Sequence, residues 1–281
     1  MSIYGKKGFT LVELLVVISI IAMLLAVLMP SLSRVREHAK TVVCRSNLKQ
    51  MALVFNCYVN DNDGKFHYGW DYSNKWYPEK RTWPWALEKY FPDDKAYFCP
   101  SASKVRQNTS VLGGFGGREY AWQGIDWLSE PPKNISGKYT SGSYGFNGWL
   151  WPQEGENNQF WKKYQNISTT YNVPVLVDSY WLHFAPFDTA KPPSEKDKYA
   201  AEPGLPSQYT DAYTYDQTSM HRVCLDRHHG AVCVIFADFS VRLVNLKSLW
   251  SLKWSKNFDT TVKEKIDQGR NGGWPLWMNK R

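Results

Sequence analysis

The chain of 281 residues lacks the sequence patterns that mark common catalytic sites. It contains no GxSxG, HExxH, Walker or dinucleotide-binding pattern, and no internal repeat. A mean hydropathy of -0.48 excludes a polytopic membrane protein, and a hydrophobic fraction of 43% excludes a disordered chain. We therefore expect an ordered protein that is not an enzyme, with no catalytic residues, no metal and no cofactor. Its net charge of +8 is modest for this size and predicts no nucleic-acid partner.

Long apolar runs are absent except for one, at residues 9–29. This run contains a single charged residue, Glu13, and neither proline nor glycine. As a helix, a segment of this length spans about 31 Å, which matches a bilayer core of about 30 Å. The sequence therefore predicts one membrane-spanning helix near the N-terminus.

Three interpretations of this segment are open. A cleaved secretory signal peptide fits poorly, because the run is long and ends without a small-x-small site. A signal anchor would keep its N-terminus cytoplasmic through Lys6 and Lys7. In the third interpretation Glu13 has a function, since an unpaired carboxylate in hydrocarbon is costly. The alternative is that Glu13 only reaches the membrane interface.

The sequence KKGFTLVELLVVI, which starts at Lys6, resembles the class III leader of type IV pilins and type II secretion pseudopilins. The matching residues are the basic pair Lys6 and Lys7, Gly8 before the cut, Phe9 after it, and Glu13 as fifth mature residue. The resemblance implies cleavage between Gly8 and Phe9 by a prepilin peptidase, followed by N-methylation of Phe9. It also implies that Glu13 pairs with the Phe9 amine of a neighbouring subunit and so sets the register of assembly.

The resemblance also implies a location and a set of partners. The leader would be cytoplasmic, the helix would cross the inner membrane once, and the C-terminal domain would be periplasmic or extracellular. The expected partners are the prepilin peptidase, the inner membrane and other pilin or pseudopilin subunits, which would contact the chain through its helix.

We expect an α+β fold, in which a long N-terminal helix packs on an antiparallel β-sheet with large loop insertions. The expected parts are a leader at 1–8, a helix at 9–60 and an exported aromatic-rich domain at 61–281. The helix divides into a membrane-spanning part at 9–29 and an amphipathic part at 30–60. Pro30 either kinks this helix or breaks it in two. The sequence DNDG at 61–64 indicates a turn that closes the helix, with the start of a calcium loop as the alternative.

Strand patterns are clearest late in the chain. Residues 231–236 and 240–246 predict a β-hairpin, and residues 171–178 predict a short buried strand, placed near a sheet edge by Pro174. The segment that starts at His228 resembles the His-x9-Asp-Gly motif of one group of prepilin-like proteins. Nine residues separate His228 from Asp238, and Phe239 stands in place of the glycine. The chain also resembles this group of proteins in three short segments, which are CRSNLKQ at 44–50, YFCPS at 97–101 and SYGFNG at 143–148.

Two interpretations of His228 are open. In the first, His228 bonds Asp238 or the backbone and pins the hairpin. In the second, it forms a metal or acid–base site with the nearby His221, His229, Asp226 and Asp238. The sequence favours the first.

The five cysteines leave disulfide pairing open. An exported domain permits disulfides, and the candidate pairs are Cys44–Cys99 and Cys224–Cys233. Cys57 would then be free and buried. In the alternative, all five cysteines stay reduced and pack as small hydrophobic residues.

All 14 Trp residues lie after residue 60, in the predicted exported domain. They indicate either a bulky core or exposed faces that stack on glycans, and the sequence favours the core. The leading hypothesis for the chain is a subunit of a type II secretion or type IV pilus-related system. The alternative is a membrane-anchored or fibre-tip module that binds glycans or another extracellular substrate.

Overall fold

A computed structural model describes residues 9–67, 83–91, 94–104, 116, 118–123, 141–152, 158–193, 219–269 and 273–279. The chain divides into two compact units, Met1–Ala39 and Lys40–Arg281. Lys6, Lys7 and Gly8 of the predicted leader lie outside the described ranges, as do Trp70, Trp76 and Trp127 of the 14 Trp residues.

The described helices and strands are short apart from the first helix. The helices are α1 (Leu11–Asp61), α2 (Trp83–Leu87), α3 (Val262–Asp267) and α4 (Leu276–Asn279). The strands are β1 (Trp122–Gln123), β2 (Ser141–Gly142), β3 (Tyr144–Asn147), β4 (Pro174–Asp178), β5 (His183–Phe184), β6 (Ala231–Phe236) and β7 (Val241–Asn245). Short 3-10 helices lie at Asp94–Tyr97, Gly148–Leu150, Tyr164–Asn166, Thr170–Asn172 and Leu246–Ser251.

Helix α1 is one element that contains Pro30, so the alternative of two helices broken at this proline is wrong. Proline removes a single N–H donor, and the residues on either side keep the other backbone hydrogen bonds of the helix. Within the first unit the apolar side chains of residues 11–29 are exposed. Among the described helices, α1 is long and apolar enough to cross a membrane by length and composition.

The C-terminal end of α1 is closed by a turn, as the sequence predicts. The Gly64 N–H donates to the Val59 carbonyl at 2.9 Å, and Asp63 adopts a φ of 54°. This bond and the left-handed residue match a Schellman cap, which satisfies a carbonyl left over at the helix end. The Asp61 carboxylate accepts a hydrogen bond from the Tyr90 hydroxyl at 2.9 Å.

Five strands form one sheet in the order β5-β3-β4-β6-β7. Every neighbouring pair is antiparallel except β3 and β5, which are parallel. The α+β class is confirmed, and the sheet is mixed rather than purely antiparallel. Strands β1 and β2 form a separate antiparallel pair.

Strand β4 is the central strand of this sheet, so the prediction that Pro174 places it near an edge is wrong. Pro174 is the first residue of β4, and the register against β6 shifts between Pro174 and Leu176. A proline is tolerated at a strand start or a bulge because no regular ladder bond requires its missing N–H. The predicted hairpin is confirmed as β6 and β7.

The second unit has its core between the C-terminal part of α1 and the sheet. One face of the helix is buried through Cys44, Leu48, Met51, Phe55 and Val59. The Phe55 ring stacks on Phe146 of β3, with ring centroids 5.8 Å apart. This face anchors the helix to the centre of the domain.

Candidate functional site

The N-terminus of α1 carries a capping box. The Glu13 carboxylate accepts hydrogen bonds from the Thr10 N–H at 2.9 Å and from the Thr10 hydroxyl at 2.7 Å. The Glu13 N–H contacts the Thr10 hydroxyl oxygen in return, at 3.3 Å. This reciprocal arrangement satisfies helix N–H groups that have no partner within the helix. Phe9 is exposed beside it, at the start of the described residues.

A second site lies deep in the domain, around Asp178 at the end of β4. Its side chain is fully buried and lies 3.3 Å from the Arg227 guanidinium and 3.3 Å from the His228 Nε2. The Cys233 N–H donates to the same carboxylate at 2.7 Å. Burial by itself would raise the pKa of Asp178, but His228 and Arg227 stabilise the carboxylate and hold its pKa below the ordinary value.

His228 connects this carboxylate to helix α1. Its Nδ1 lies 3.1 Å from the Thr41 hydroxyl, and its Nε2 lies 3.4 Å from the Cys99 sulfur. Burial opposes the charged imidazole, but the Asp178 carboxylate outweighs this effect and raises the pKa of His228 to about 10. The ring therefore bridges three segments that are far apart in the sequence.

Thiols line the same site. Cys44 of α1 lies 3.3 Å from the Tyr144 hydroxyl and is within hydrogen-bonding reach of both Cys99 and Cys233. Burial raises the pKa of the Cys44 and Cys99 thiols well above the ordinary value. These groups form a buried cluster of side chains around His228.

A tight turn at residues 226–230 directs Arg227 and His228 inward. The Asp226 carboxylate accepts the Gly230 N–H at 2.7 Å, and both His229 and Gly230 have positive φ, at 54° and 83°. The Arg227 guanidinium then donates to the Ser143 carbonyl at 2.5 Å and the Ser179 carbonyl at 3.0 Å. A glycine-containing turn is thus the local reason that two cationic side chains enter the core.

The structure separates His228 from Asp238, so the hypothesis that their contact pins the hairpin is wrong. Asp238 lies in the exposed turn between β6 and β7, where its carboxylate accepts the Ser240 N–H at 2.9 Å. His228 points instead toward Asp178. The neighbouring His229 is exposed, so the suggested cluster of nearby histidines does not converge on one site. A turn sends adjacent side chains to opposite sides, which sequence proximity conceals.

Neither suggested disulfide is formed, because none of the five cysteines is disulfide-bonded in the structure. Cys44 and Cys99 do approach each other, but as members of the larger group around His228. Cys224 precedes β6 and is not on a strand beside Cys233, since the neighbours of β6 are β4 and β7. Cys57 is exposed rather than buried.

The Trp residues act as hydrogen-bonding members of the core. Among those whose side chains the structure describes, eight are buried and two, Trp151 and Trp274, are partly buried. Indole N–H groups donate to backbone carbonyls at 2.7–3.3 Å from Trp83, Trp122, Trp149, Trp161, Trp250 and Trp254. Short strands leave many carbonyls without a ladder partner, and indole supplies both bulk and a donor. None of these ten Trp side chains is classed as exposed, so the described Trp residues favour the core interpretation over glycan stacking.

The segment SYGFNG has a structural explanation. A Cβ on Gly145 would lie 2.5 Å from the Trp181 carbonyl oxygen, so only glycine fits there. The Asn147 amide donates to the Pro174 carbonyl at 2.9 Å and the Trp254 carbonyl at 3.0 Å. These two residues hold β3 against its neighbours.

Sequence reasoning missed Asp178 and Arg227 as members of the buried site. The only sequence signal for Asp178 was a carboxylate at the end of an otherwise apolar strand, and for Arg227 a place next to His228.

Comparison with known proteins places a family model for the prokaryotic N-terminal methylation motif on residues 4–29. The type IV wide pilus major component PilA4 of Thermus thermophilus is 46% identical over 59 residues. That match covers 21% of this chain and 45% of the relative, so the chain spans less than half of that protein's length. No solved structure matches the chain. The chain is therefore type IV pilin-like, and the resemblance rests on its N-terminal methylation motif.

Proposed function

We propose that the chain is a pilin-like subunit of a type IV pilus or a related secretion system, assembled through its N-terminal helix. The observation that carries this proposal is the methylation motif at residues 4–29, which continues into an exposed apolar helix. An exposed apolar surface of this length needs lipid or a neighbouring helix around it.

Processing precedes assembly in this proposal. A prepilin peptidase cleaves between Gly8 and Phe9 on the cytoplasmic side and the Phe9 amine is methylated. Cleavage removes Lys6 and Lys7, which lowers the formal net charge from +8 to +6, while the membrane helix stays attached. The domain then lies on the periplasmic or outer side, with a single-pass anchor in the inner membrane.

Glu13 has the assembly role in this proposal. Its carboxylate would exchange the Thr10 donors for the amine of Phe9 in an adjacent subunit. Two opposite charges that meet in an apolar bundle offset the cost of removing each from water. The buried domain site and the described Trp residues serve the domain's own fold, so no catalytic step is proposed.

The most direct test is mass spectrometry of the mature N-terminus. We expect the chain to begin at a methylated Phe9. Any other N-terminus would refute the proposed processing.

A second test uses Glu13→Ala in cells that assemble the fibre. Cleavage of the leader should remain normal, and the subunit should be lost from the sheared fibre fraction. Normal incorporation of this variant would refute the pairing of Glu13 with Phe9.

A further inference from the structure

Four potential ligand atoms meet in the buried site of the domain. They belong to Cys44, Asp178, His228 and Cys233, and all lie within 4.8 Å of one another. Every one of these residues is buried, and they come from helix α1, strand β4, the 226–230 turn and strand β6. A buried carboxylate and a buried imidazole need polar partners, and here two thiols lie within reach of both groups.

We propose that these four side chains bind one zinc ion. Zinc takes four ligands in tetrahedral geometry, from thiolate sulfur, imidazole nitrogen and carboxylate oxygen. Its bond lengths place neighbouring ligand atoms about 3.3–3.8 Å apart. The His228 Nε2 and the Asp178 carboxylate oxygen are already 3.3 Å apart, so this pair matches one edge of the tetrahedron.

The surrounding groups orient these ligands. The Thr41 hydroxyl lies 3.1 Å from the His228 Nδ1 and can accept its proton, which leaves the Nε2 lone pair for the metal. The Cys233 N–H holds the Asp178 carboxylate at 2.7 Å. Hydrogen bonds of this kind fix both the tautomer and the orientation of metal ligands.

The charges of the occupied site balance. Two thiolates and one carboxylate carry three negative charges, and a zinc ion with the Arg227 guanidinium carries three positive charges. Arg227 is buried and lies 3.3 Å from the Asp178 carboxylate, close enough to complete this balance. Zinc binding therefore places no net charge in the core.

A disulfide is the competing outcome for the same thiols. Cys44 is within reach of both Cys99 and Cys233, and exported proteins meet oxidising conditions. The two outcomes differ in the number of free thiols and in bound metal, so one preparation distinguishes them.

The test measures zinc and thiols in the full-length chain, purified in detergent and equilibrated with Zn²⁺ before removal of excess metal. We expect one zinc per chain by elemental analysis, and five reactive thiols after chelation and denaturation without reductant. Replacement by Co²⁺ should give the absorption bands of a tetrahedral thiolate site. Absence of stoichiometric zinc, or only three reactive thiols, would overturn the proposal.

Variants assign the metal to these residues. Cys44→Ser and Cys233→Ser should each lower bound zinc at least tenfold, whereas Cys57→Ser and Cys224→Ser should retain it. Cys57 is an exposed control and Cys224 a buried one outside the ligand set. Zinc that persists in the Cys44→Ser variant would overturn the assignment. If that variant does not fold, the zinc and thiol counts on the unsubstituted chain still distinguish zinc binding from its absence or a disulfide.

Discussion

Glu13 accepts hydrogen bonds from both donors of Thr10, the N–H at 2.9 Å and the hydroxyl at 2.7 Å. In a single chain, the carboxylate proposed to act between subunits therefore caps its own helix. Assembly in which Glu13 pairs with Phe9 would exchange one set of donors for another. The Glu13 carboxylate therefore has donors both before and after assembly, and these offset the free-energy cost of removing it from water.

The first prediction separates these two roles of Glu13. Thr10→Val removes the hydroxyl but keeps the carboxylate, so we expect incorporation into fibres to continue. Glu13→Gln removes the negative charge, so we expect a strong loss of incorporation. Immunoblots of sheared fibre and membrane fractions measure both variants. Equal loss in the two variants would mean that the cap, and not pairing between subunits, is what assembly requires.

The second prediction concerns pH and His183, which is buried on β5. Burial and the nearby Arg222 charge lower the pKa of His183 to about 3. A depressed folded pKa means that the unfolded state binds the proton more readily below pH 6.5. The stability contributed by neutral His183 is therefore complete above pH 6.5 and is lost as the pH falls toward 3. At pH 5 the loss is about 2 kcal/mol.

Denaturant unfolding of the detergent-solubilised chain, followed by Trp fluorescence at pH 7 and pH 5, measures this effect. His183→Gln removes the titrating group. It should therefore reduce the difference in unfolding free energy between pH 7 and pH 5 by about 2 kcal/mol. The comparison with the unsubstituted chain cancels the contributions of the other titrating groups. An unchanged pH difference in the variant would exclude His183 as its source.

The third prediction tests the hydrogen-bonding role of the Trp residues. The Trp250 indole donates to the buried Ala190 carbonyl at 2.8 Å. Trp250→Phe leaves that carbonyl without a partner and should lower the free energy of unfolding by about 1–3 kcal/mol, plus a packing loss. Trp151→Phe is the matched control, because the Trp151 indole N–H has no acceptor among the described residues. If thermal or denaturant unfolding gives equal losses of unfolding free energy for Trp250→Phe and Trp151→Phe, the hydrogen-bonding role of Trp250 is refuted.

The fourth prediction concerns Phe239, which has a φ of 61° in the hairpin turn. This is the left-handed region, where glycine is favoured over a bulky side chain by about 1 kcal/mol. The Phe239 ring also stacks on Tyr164, with centroids 5.6 Å apart. We therefore expect Phe239→Gly to be nearly neutral alone, because the two effects offset each other.

In a Tyr164→Ala background the stack is already absent. There Phe239→Gly should stabilise the protein by about 1 kcal/mol in denaturant unfolding. Destabilisation in this background would show that Phe239 makes other contacts that matter more than its backbone strain.

Local patterns predicted the elements whose signals are contained in a few residues. The hairpin of β6 and β7 follows from alternation, and the turn after Asp61 follows from its Asn, Asp and Gly residues. The misplacement of β4 arose because a proline at a strand start looks the same in sequence as one at a sheet edge. The mature Phe9 and its processing remain predictions.

The sequence by itself determined the N-terminal methylation motif, the apolar helix and the α+β class, because each depends on residues that are near neighbours in the chain. Only the tertiary structure decided that His228 faces Asp178 and not Asp238, and that Cys44, Cys99 and Cys233 meet around it. It also decided that the described Trp residues pack inside the domain. These relationships depend on the order of strands in the sheet and the direction of one turn, which bring together residues more than a hundred positions apart.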